Sequence, residues 1–258
     1  MRVSRIKLKL HTYAPAALLV LIILAVWETG VRFGGVPAFI LPAPSAVWIA
    51  LVEQRGLLLS VHLPATLQEI LLGFLLAAGC GTLLGLGMHL FPPLAKAVYP
   101  LLIVSQTIPL IALSPILIMW FGYTLGGKIA VVFLTAFFPV VVSTYDGLHK
   151  SGEQYKELLL TLGASRRQLL VKTQIPLALP SYFSGLKLSI VYCVIGATIG
   201  EWLGGSRGLG YYSRRMAGNL HSAELFAAVF LLSALGVLLF LCICTAEQIV
   251  LKKRGLRR

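Results

Sequence analysis

The chain has 258 residues, of which 58% are hydrophobic and only 12% are charged. This composition excludes an ordinary soluble domain and predicts an integral membrane protein. The net charge of +13 could suggest a nucleic-acid partner, but the basic residues stand at the borders of apolar blocks. That distribution is a signal of membrane topology, so we expect no nucleic acid to bind.

Six apolar runs have about the length that a helix needs to cross a bilayer, roughly 20 residues. They predict an all-α polytopic membrane protein with six transmembrane helices, in which residues 1–258 form a single transmembrane domain. The runs cover about residues 13–33, 63–90, 94–122, 128–145, 181–203 and 223–250. After the first run, Leu41-Pro42-Ala43-Pro44-Ser45 opens a short amphipathic helix, which we expect to rest on the membrane surface with Trp48 at the interface.

Small residues recur on two of the predicted spans and predict close helix packing. Gly81 and Gly85 form a small-x-x-x-small pair on the second span. The fifth span carries a face of small residues, which should pack against another helix, with a dimer partner as one option: Gly185, Ser189, Gly196, Gly200 and Gly204.

The third span is broken by three prolines, Pro100, Pro109 and Pro115. Prolines and polar side chains at membrane depth require protein or water nearby, so this span is predicted to line the path of a transported solute. The candidate path residues are Ser105, Gln106, Thr107 and Ser114, with Tyr192 of the fifth span.

The turn from Gly122 to Lys128 copies most of a phosphate-binding loop, Gly-x-x-x-x-Gly-Lys. The next residue is Ile129, whereas the motif needs a Ser or Thr hydroxyl for Mg²⁺, with a strand before it and a helix after it. We therefore expect this chain to bind neither ATP nor another cofactor. The four cysteines lie inside apolar blocks, and the five histidines are scattered without an acid or another histidine at helical spacing. The sequence thus offers no metal site and no catalytic group, and it does not predict an enzyme.

One polar stretch, residues 146–180, lies between the fourth and fifth spans and cannot itself lie in lipid. Leu158, Leu159 and Leu162 fall on one side of a first helix, after which Gly163 suits a helix C-cap and Ser165 can cap a second helix. Ile175-Pro176 and Leu179-Pro180 are expected to end that second helix. A helix–turn–helix of this kind is suited to fit a groove in another protein.

This stretch resembles the coupling loop of the permeases of ABC importers. Glu157 takes the acidic position of the family pattern, Gly163 its glycine and Ile175-Pro176 its terminal pair, while Leu158 and Leu159 replace two alanines. The resemblance implies contact with an ATPase through this loop: Glu157, Leu158, Leu159, Gly163, Ala164, Ser165, Ile175 and Pro176.

Three further segments, residues 41–48, 109–122 and 201–210, resemble the permeases of the nitrate, sulfonate and taurine importers. Gly200-Glu201-Trp202 is more similar to transporters of thiamine-precursor pyrimidines. The resemblance implies the membrane subunit of an importer of a small polar solute, paired with a second copy of itself, two ATPase subunits that carry ATP and Mg²⁺, and an external solute-binding protein.

Basic residues are more frequent on the side that holds both termini and the polar stretch. By the positive-inside rule this side is cytoplasmic, and we expect a multi-pass protein of the bacterial inner membrane. Glu201 then lies near the external end of the fifth span. It is a candidate gate residue, paired with Arg207, Arg214 or Arg215, or else a glutamate at the membrane interface. A proton-coupled secondary transporter that uses Glu28 or Glu201 is the alternative function.

Overall fold

The computed structural model describes residues 2–150 and 153–255, with side chains from residue 15 onward except at 17 and 153–155. Nearly all of these residues are helical. The helices are α1 (Arg2–Phe33), α2 (Pro44–Glu53), α3 (Arg55–Leu90), α4 (Pro92–Ser105), α5 (Leu110–Phe121), α6 (Leu125–Lys150), α7 (Glu153–Thr161), α8 (Arg166–Gly204), α9 (Leu209–Gly218) and α10 (Ser222–Lys253).

Helix α6 forms the centre of the bundle and packs against both α3 and α8, which also contact each other. The core where these helices meet is built from aliphatic and small side chains, among them Ile70 of α3, Val132 and Ala136 of α6, and Ile190 and Cys193 of α8. Apolar side chains on the outer faces stay exposed, as expected for a surface that faces lipid. The short helix α9 and the short helix α2 both pack against α10. Helix α2 is apolar over its length, so the expectation that it is amphipathic was wrong.

Four helices, α3, α6, α8 and α10, are long and apolar enough to cross a membrane. Helices α4 and α5 together make a fifth candidate span, broken by a bend of 103°. These numbers hold for the part of the chain that the structure describes, and the predicted first span, residues 13–33, lies partly outside the described side chains. The all-helical, polytopic fold is confirmed, whereas the count of six spans stays a prediction.

The prolines of the polar stretch do not end a helix, so that expectation was wrong. Helix α8 continues through Pro176 and Pro180 as one element of 39 residues. A π-helical turn over Leu170–Gln174 shifts the hydrogen-bond register, and Pro176 follows it in the first turn of the resumed α-helix, a position that tolerates a residue without an N–H. Helix α3 passes Pro64 in the same way, through a π-helical turn over Leu58–His62.

The two glycine faces pack inside the chain. A Cβ at Gly81 would lie 2.8 Å from Cβ of Val140, and one at Gly85 would lie 2.7 Å from Cβ of Thr144, both on α6. On α8, a Cβ at Gly196 would lie 2.9 Å from Cα of Val132 on α6. The small face of α8 therefore contacts α6 within this chain, because only a bare backbone allows helices to come this close.

Glu28 of α1 binds the start of α2. Its carboxylate accepts hydrogen bonds from the backbone N–H of Ser45 at 3.0 Å and from the Ser45 hydroxyl at 2.7 Å. A carboxylate is favourable at a helix N-terminus, where backbone N–H groups lack partners. These bonds join the end of α1 to the first turn of α2, and Trp48 on α2 is exposed.

Candidate functional site

The bundle has two polar ends, which α8 connects. The near end holds the helix–turn–helix of α7 and the start of α8. The far end holds residues 205–208, which link α8 to α9 and which we call the far-end segment. We use the term far-end cluster for five side chains that meet there: His62, Thr66 and Glu69 of α3, Lys128 of α6 and Glu201 of α8.

A buried ion pair joins α3 to α6 in this cluster. Lys128 Nζ lies 2.7 Å from Glu69 Oε1, and the two side chains are 8% and 2% exposed. The same ammonium group donates a second, longer hydrogen bond of 3.4 Å to the carbonyl oxygen of Arg207. The loss of one partner from a buried pair leaves an uncompensated charge, which costs several kcal/mol. This pair therefore holds α3, α6 and the far-end segment together.

Glu201 binds the N-terminus of α9. Its Oε2 accepts the backbone N–H of Gly210 at 2.5 Å and that of Tyr211 at 3.3 Å, while its Oε1 accepts the Thr66 hydroxyl at 2.6 Å. Gly208 lies against the same carboxyl group with φ of +124°, and a Cβ there would overlap the carboxyl carbon. The Gly-Leu-Gly run thus lets bare backbone amides reach a buried carboxylate at the first turn of a helix.

Two side chains of α3 accept hydrogen bonds from the backbone amides of Gly208 and Leu209, which come directly before the amides that bind Glu201. The N–H of Gly208 donates to His62 Nδ1 at 3.1 Å, and the N–H of Leu209 donates to the Thr66 hydroxyl at 2.8 Å. Four consecutive backbone amides, 208 to 211, therefore end on side chains of α3 and α8. This arrangement closes the far end of the bundle with a segment that is bound through its backbone.

The structure overturns the ion pair that was expected for Glu201. Its carboxylate takes its hydrogen bonds from Thr66 and from backbone amides, and no ion pair joins it to Arg207, Arg214 or Arg215, all of which are described and exposed. A glutamate at the lipid interface is equally wrong, because Glu201 is 1% exposed. The role of Glu201 in gating stays a prediction.

Sequence reasoning missed Glu69 and placed Lys128 at the end of the turn that leads into the fourth span. Helix α6 begins at Leu125, so Lys128 lies in its first turn and points into the bundle. The signal that could have found the pair is the presence of one acid and one base inside apolar runs, since such residues pair with each other in membrane proteins. The helix α5 that precedes Gly122 also differs from the strand that a phosphate loop requires.

The candidate path residues fall at the bend between α4 and α5. Ser105, Gln106 and Thr107 are exposed there, and the two hydroxyls bond to backbone carbonyls of α4 at 2.7 Å. Ser114 is buried on α5 and bonds to the carbonyl of Ile111, whereas Tyr192 is exposed on α8. Three of the five residues are thus adjacent at the bend, and their contact with a solute stays a prediction.

At the near end, the turn between α7 and α8 has the predicted caps. Gly163 has φ of +84°, and the amides of Gly163 and Ala164 bond to the carbonyls of Leu160 and Leu159 at 3.0 and 2.9 Å, a Schellman motif. Ser165 and Gln168 form a reciprocal capping box at the start of α8. Leucines remain exposed at this end, namely Leu158 at 58%, Leu160 at 40% and Leu162 at 73%.

An apolar helical bundle with an irregular, polar break in one candidate span is the fold of a polytopic membrane protein. The comparison with known sequences makes the class specific, since the profile of the binding-protein-dependent transport system inner membrane component matches residues 69–253. The chain belongs to this family. Its members are transport subunits of ABC importers.

Two relatives align with nearly the whole chain. The formylaminopyrimidine transport permease protein ThiX of Halalkalibacterium halodurans is 44% identical over 234 residues, which cover 91% of this chain and 93% of the relative. The riboflavin transport system permease protein RibX of Chloroflexus aurantiacus is 34% identical and covers 92% and 88%. Among solved structures, the inward-facing MetNI methionine ABC transporter matches with a TM-score of 0.63 at 19% identity and covers 80% of this chain and 99% of its own. At this sequence identity, the similarity to MetNI supports the fold alone.

Proposed function

We propose that this importer permease transports a small aminopyrimidine of the thiamine-precursor class. The observation that carries the proposal is the 44% identity with a formylaminopyrimidine permease over nearly the full length of both chains. The relatives named for aliphatic sulfonates and nitrate are 29% and 28% identical. Serine, threonine and glutamine at the α4–α5 bend offer donors and acceptors that suit a polar heterocycle.

The proposed transporter contains two copies of this chain, two ATPase subunits and an external solute-binding protein. The ATPases hold ATP and Mg²⁺ and contact the near end, where Leu158, Leu160 and Leu162 lie exposed around the turn at Gly163. Exposed leucines on a short helix are suited to a hydrophobic groove in a partner. The near end and both termini are then cytoplasmic, and the far end faces the binding protein.

In this arrangement the far-end segment closes the path toward the outside. Glu201 holds the segment through the amides of Gly210 and Tyr211, and the solute passes the α4–α5 bend after the segment has moved. ATP-driven rocking of the helices would supply the movement. Family membership favours this importer over a proton-coupled secondary carrier, and Glu28, one of the two acids considered for a carrier, is bound to Ser45 and Arg32.

The coupling role of the near end is tested by charge reversal. Glu157→Lys, reconstituted with the ATPase and the binding protein, should lose solute-stimulated ATP hydrolysis and uptake while membrane insertion is unchanged. Glu53→Lys makes the same charge change at the exposed end of α2 and serves as the control. Normal ATPase association and uptake in Glu157→Lys would contradict the coupling role.

The substrate class is tested on the solute-binding protein of the proposed transporter. Calorimetric titration should show tight binding of formylaminopyrimidine, and weak or no binding of riboflavin, taurine and nitrate. Uptake of radiolabelled pyrimidine into proteoliposomes that contain the complete transporter should follow the same order. Preference for a sulfonate or nitrate in both measurements would overturn the proposed substrate.

A further inference from the structure

The far-end cluster contains two buried carboxyl groups but only one buried cation. Glu69 and Glu201 are each 1% exposed, and Lys128 is 6% exposed. Lys128 neutralises one carboxylate, and the backbone amides of α9 solvate part of the other. If both acids were ionised, the cluster would keep an excess negative charge away from water, which is costly.

The hydrogen bonds of the two carboxyl groups leave one oxygen without a donor. Glu69 Oε1 accepts from Lys128, and both oxygens of Glu201 accept from Thr66 or from backbone amides. Glu69 Oε2 is buried and has no donor among the described residues. Thr66, one helical turn before Glu69 on the same face of α3, donates to Glu201 Oε1, so the two carboxyl groups lie beside each other. Two ionised carboxylates cannot hydrogen-bond to each other, whereas a protonated carboxyl donates to its neighbour.

We propose that Glu69 and Glu201 form a proton-binding site, in which the two carboxyl groups share one proton across a hydrogen bond. With this proton the pair carries a single negative charge, which Lys128 balances. The orphaned oxygen of Glu69 then has a partner. The proton stabilises the closed far end. It is not transported across the membrane, as it would be in a proton-coupled secondary carrier.

A polar cavity gives this site access to solvent. Its volume is about 210 Å³, and Glu69 and Lys128 lie on its wall together with Gln68, Thr124 and Arg207. A cavity with several polar groups and this volume holds ordered water. Water in the cavity would carry a proton between the medium at the far end and the acid pair.

The charged and titratable groups around the pair come from four elements. Helix α3 contributes His62 and α6 contributes Lys128, the linking segment contributes Arg207, and α9 contributes Tyr211, Tyr212 and Arg215. His62 accepts the amide of Gly208 at Nδ1, so its protonation in acid would weaken the closed segment. Loss of the shared proton weakens the closed segment in alkali, whereas protonation of His62 weakens it in acid. The two effects on closure therefore depend on pH in opposite directions.

The direction of the pH effect follows from proton binding. The closed far end binds one proton more than an open end in which α9 has left Glu201, so a rise in pH favours opening. One released proton changes the ratio of closed to open states about tenfold per pH unit within the titration range. This link to gating rests on the proposed function, whereas the shared proton does not.

Infrared difference spectroscopy of the full-length chain in lipid tests the proton directly. At neutral pH the wild type should show a carbonyl band of a buried carboxylic acid that disappears in alkali. Glu201→Gln and Glu69→Gln should each remove this band, because an amide N–H replaces the shared proton at nearly the same shape. Glu53→Gln, at an exposed site on α2, should retain it.

Amide hydrogen exchange of residues 206–211 adds a readout of the closed segment. Exchange should accelerate from neutral to alkaline pH beyond its intrinsic rise in the wild type, and this excess should be absent in Glu201→Gln. A wild type without the acid band, or glutamine variants that keep it, would overturn the proposal. Failure of pyrimidine uptake with the band present would instead refute the proposed function alone.

Discussion

At the scale of single residues, the far end depends on positions that have no side chain. Gly208 and Gly210 bring backbone amides against the carboxyl of Glu201, and Gly208 does so at a φ that residues with a Cβ rarely adopt. A Cβ at Gly210 would lie 2.8 Å from Glu201 Oε2 and 3.0 Å from Cα of Thr198. The glycines are therefore needed for contact with the acid as well as for the turn.

We predict that Gly208→Ala weakens the far end by at least about 2 kcal/mol, because the new Cβ overlaps the Glu201 carboxyl and the positive φ adds strain. The midpoint of thermal unfolding of the purified chain should fall, and exchange of amides 208–211 should rise. Gly218→Ala at the end of α9 has no atom within 4 Å of the new Cβ and serves as the control. Equal unfolding midpoints in the two variants would disprove the described contact.

At the scale of helices, α6 is held by glycine faces on both neighbours. Gly73, Gly81 and Gly85 of α3 contact α6, and so do Gly185 and Gly196 of α8. Contacts of this kind replace the hydrophobic effect, which contributes little between helices that already lie in lipid. The same helices tolerate internal prolines, because π-helical turns shift the hydrogen-bond register before Pro64 and Pro176.

We predict that Gly85→Ala destabilises the chain by about 1 to 3 kcal/mol, because its Cβ would lie 2.7 Å from Cβ of Thr144 and 2.8 Å from the carbonyl oxygen of Val141. Gly79→Ala on the same helix meets no atom within 4 Å and should be neutral or stabilising by up to about 1 kcal/mol, since alanine favours helix. Thermal unfolding in one detergent compares the two. If Gly85→Ala unfolds at the same temperature as the wild type, α3 and α6 lie further apart at Gly85 than the structure shows.

At the scale of the whole molecule, an apolar bundle separates two polar ends of different construction. The near end exposes leucines around a Schellman turn, which suits a partner protein. The far end binds its closing segment through amides 208–211 and a buried ion pair. A transporter driven by a partner needs a docking surface at one end and a closable path at the other.

We predict that the two ends lie on opposite sides of the membrane. A cysteine introduced by Leu162→Cys should react with a membrane-impermeant maleimide from the cytoplasmic side, and one introduced by Ser206→Cys from the external side; both positions are exposed. Labelling is measured in intact cells and in inverted vesicles. The wild type is the control, because its native cysteines lie within the spans and show the background labelling. Labelling of both positions from one side would contradict the proposed orientation.

Composition and hydropathy by themselves determined the class of protein, because an apolar chain must satisfy its backbone within helices to cross a bilayer. The local caps at Gly163 and Ser165 were also readable, since they depend on residues adjacent in the chain. The far-end cluster was not readable, because it joins Thr66, Lys128 and Glu201, which lie far apart in sequence. The sequence predicted an ion pair between Glu201 and the nearby arginines, whereas helix packing placed Thr66 and backbone amides against its carboxylate. Only the tertiary structure decides which charged groups meet, because residues far apart in sequence become neighbours only when the helices pack together.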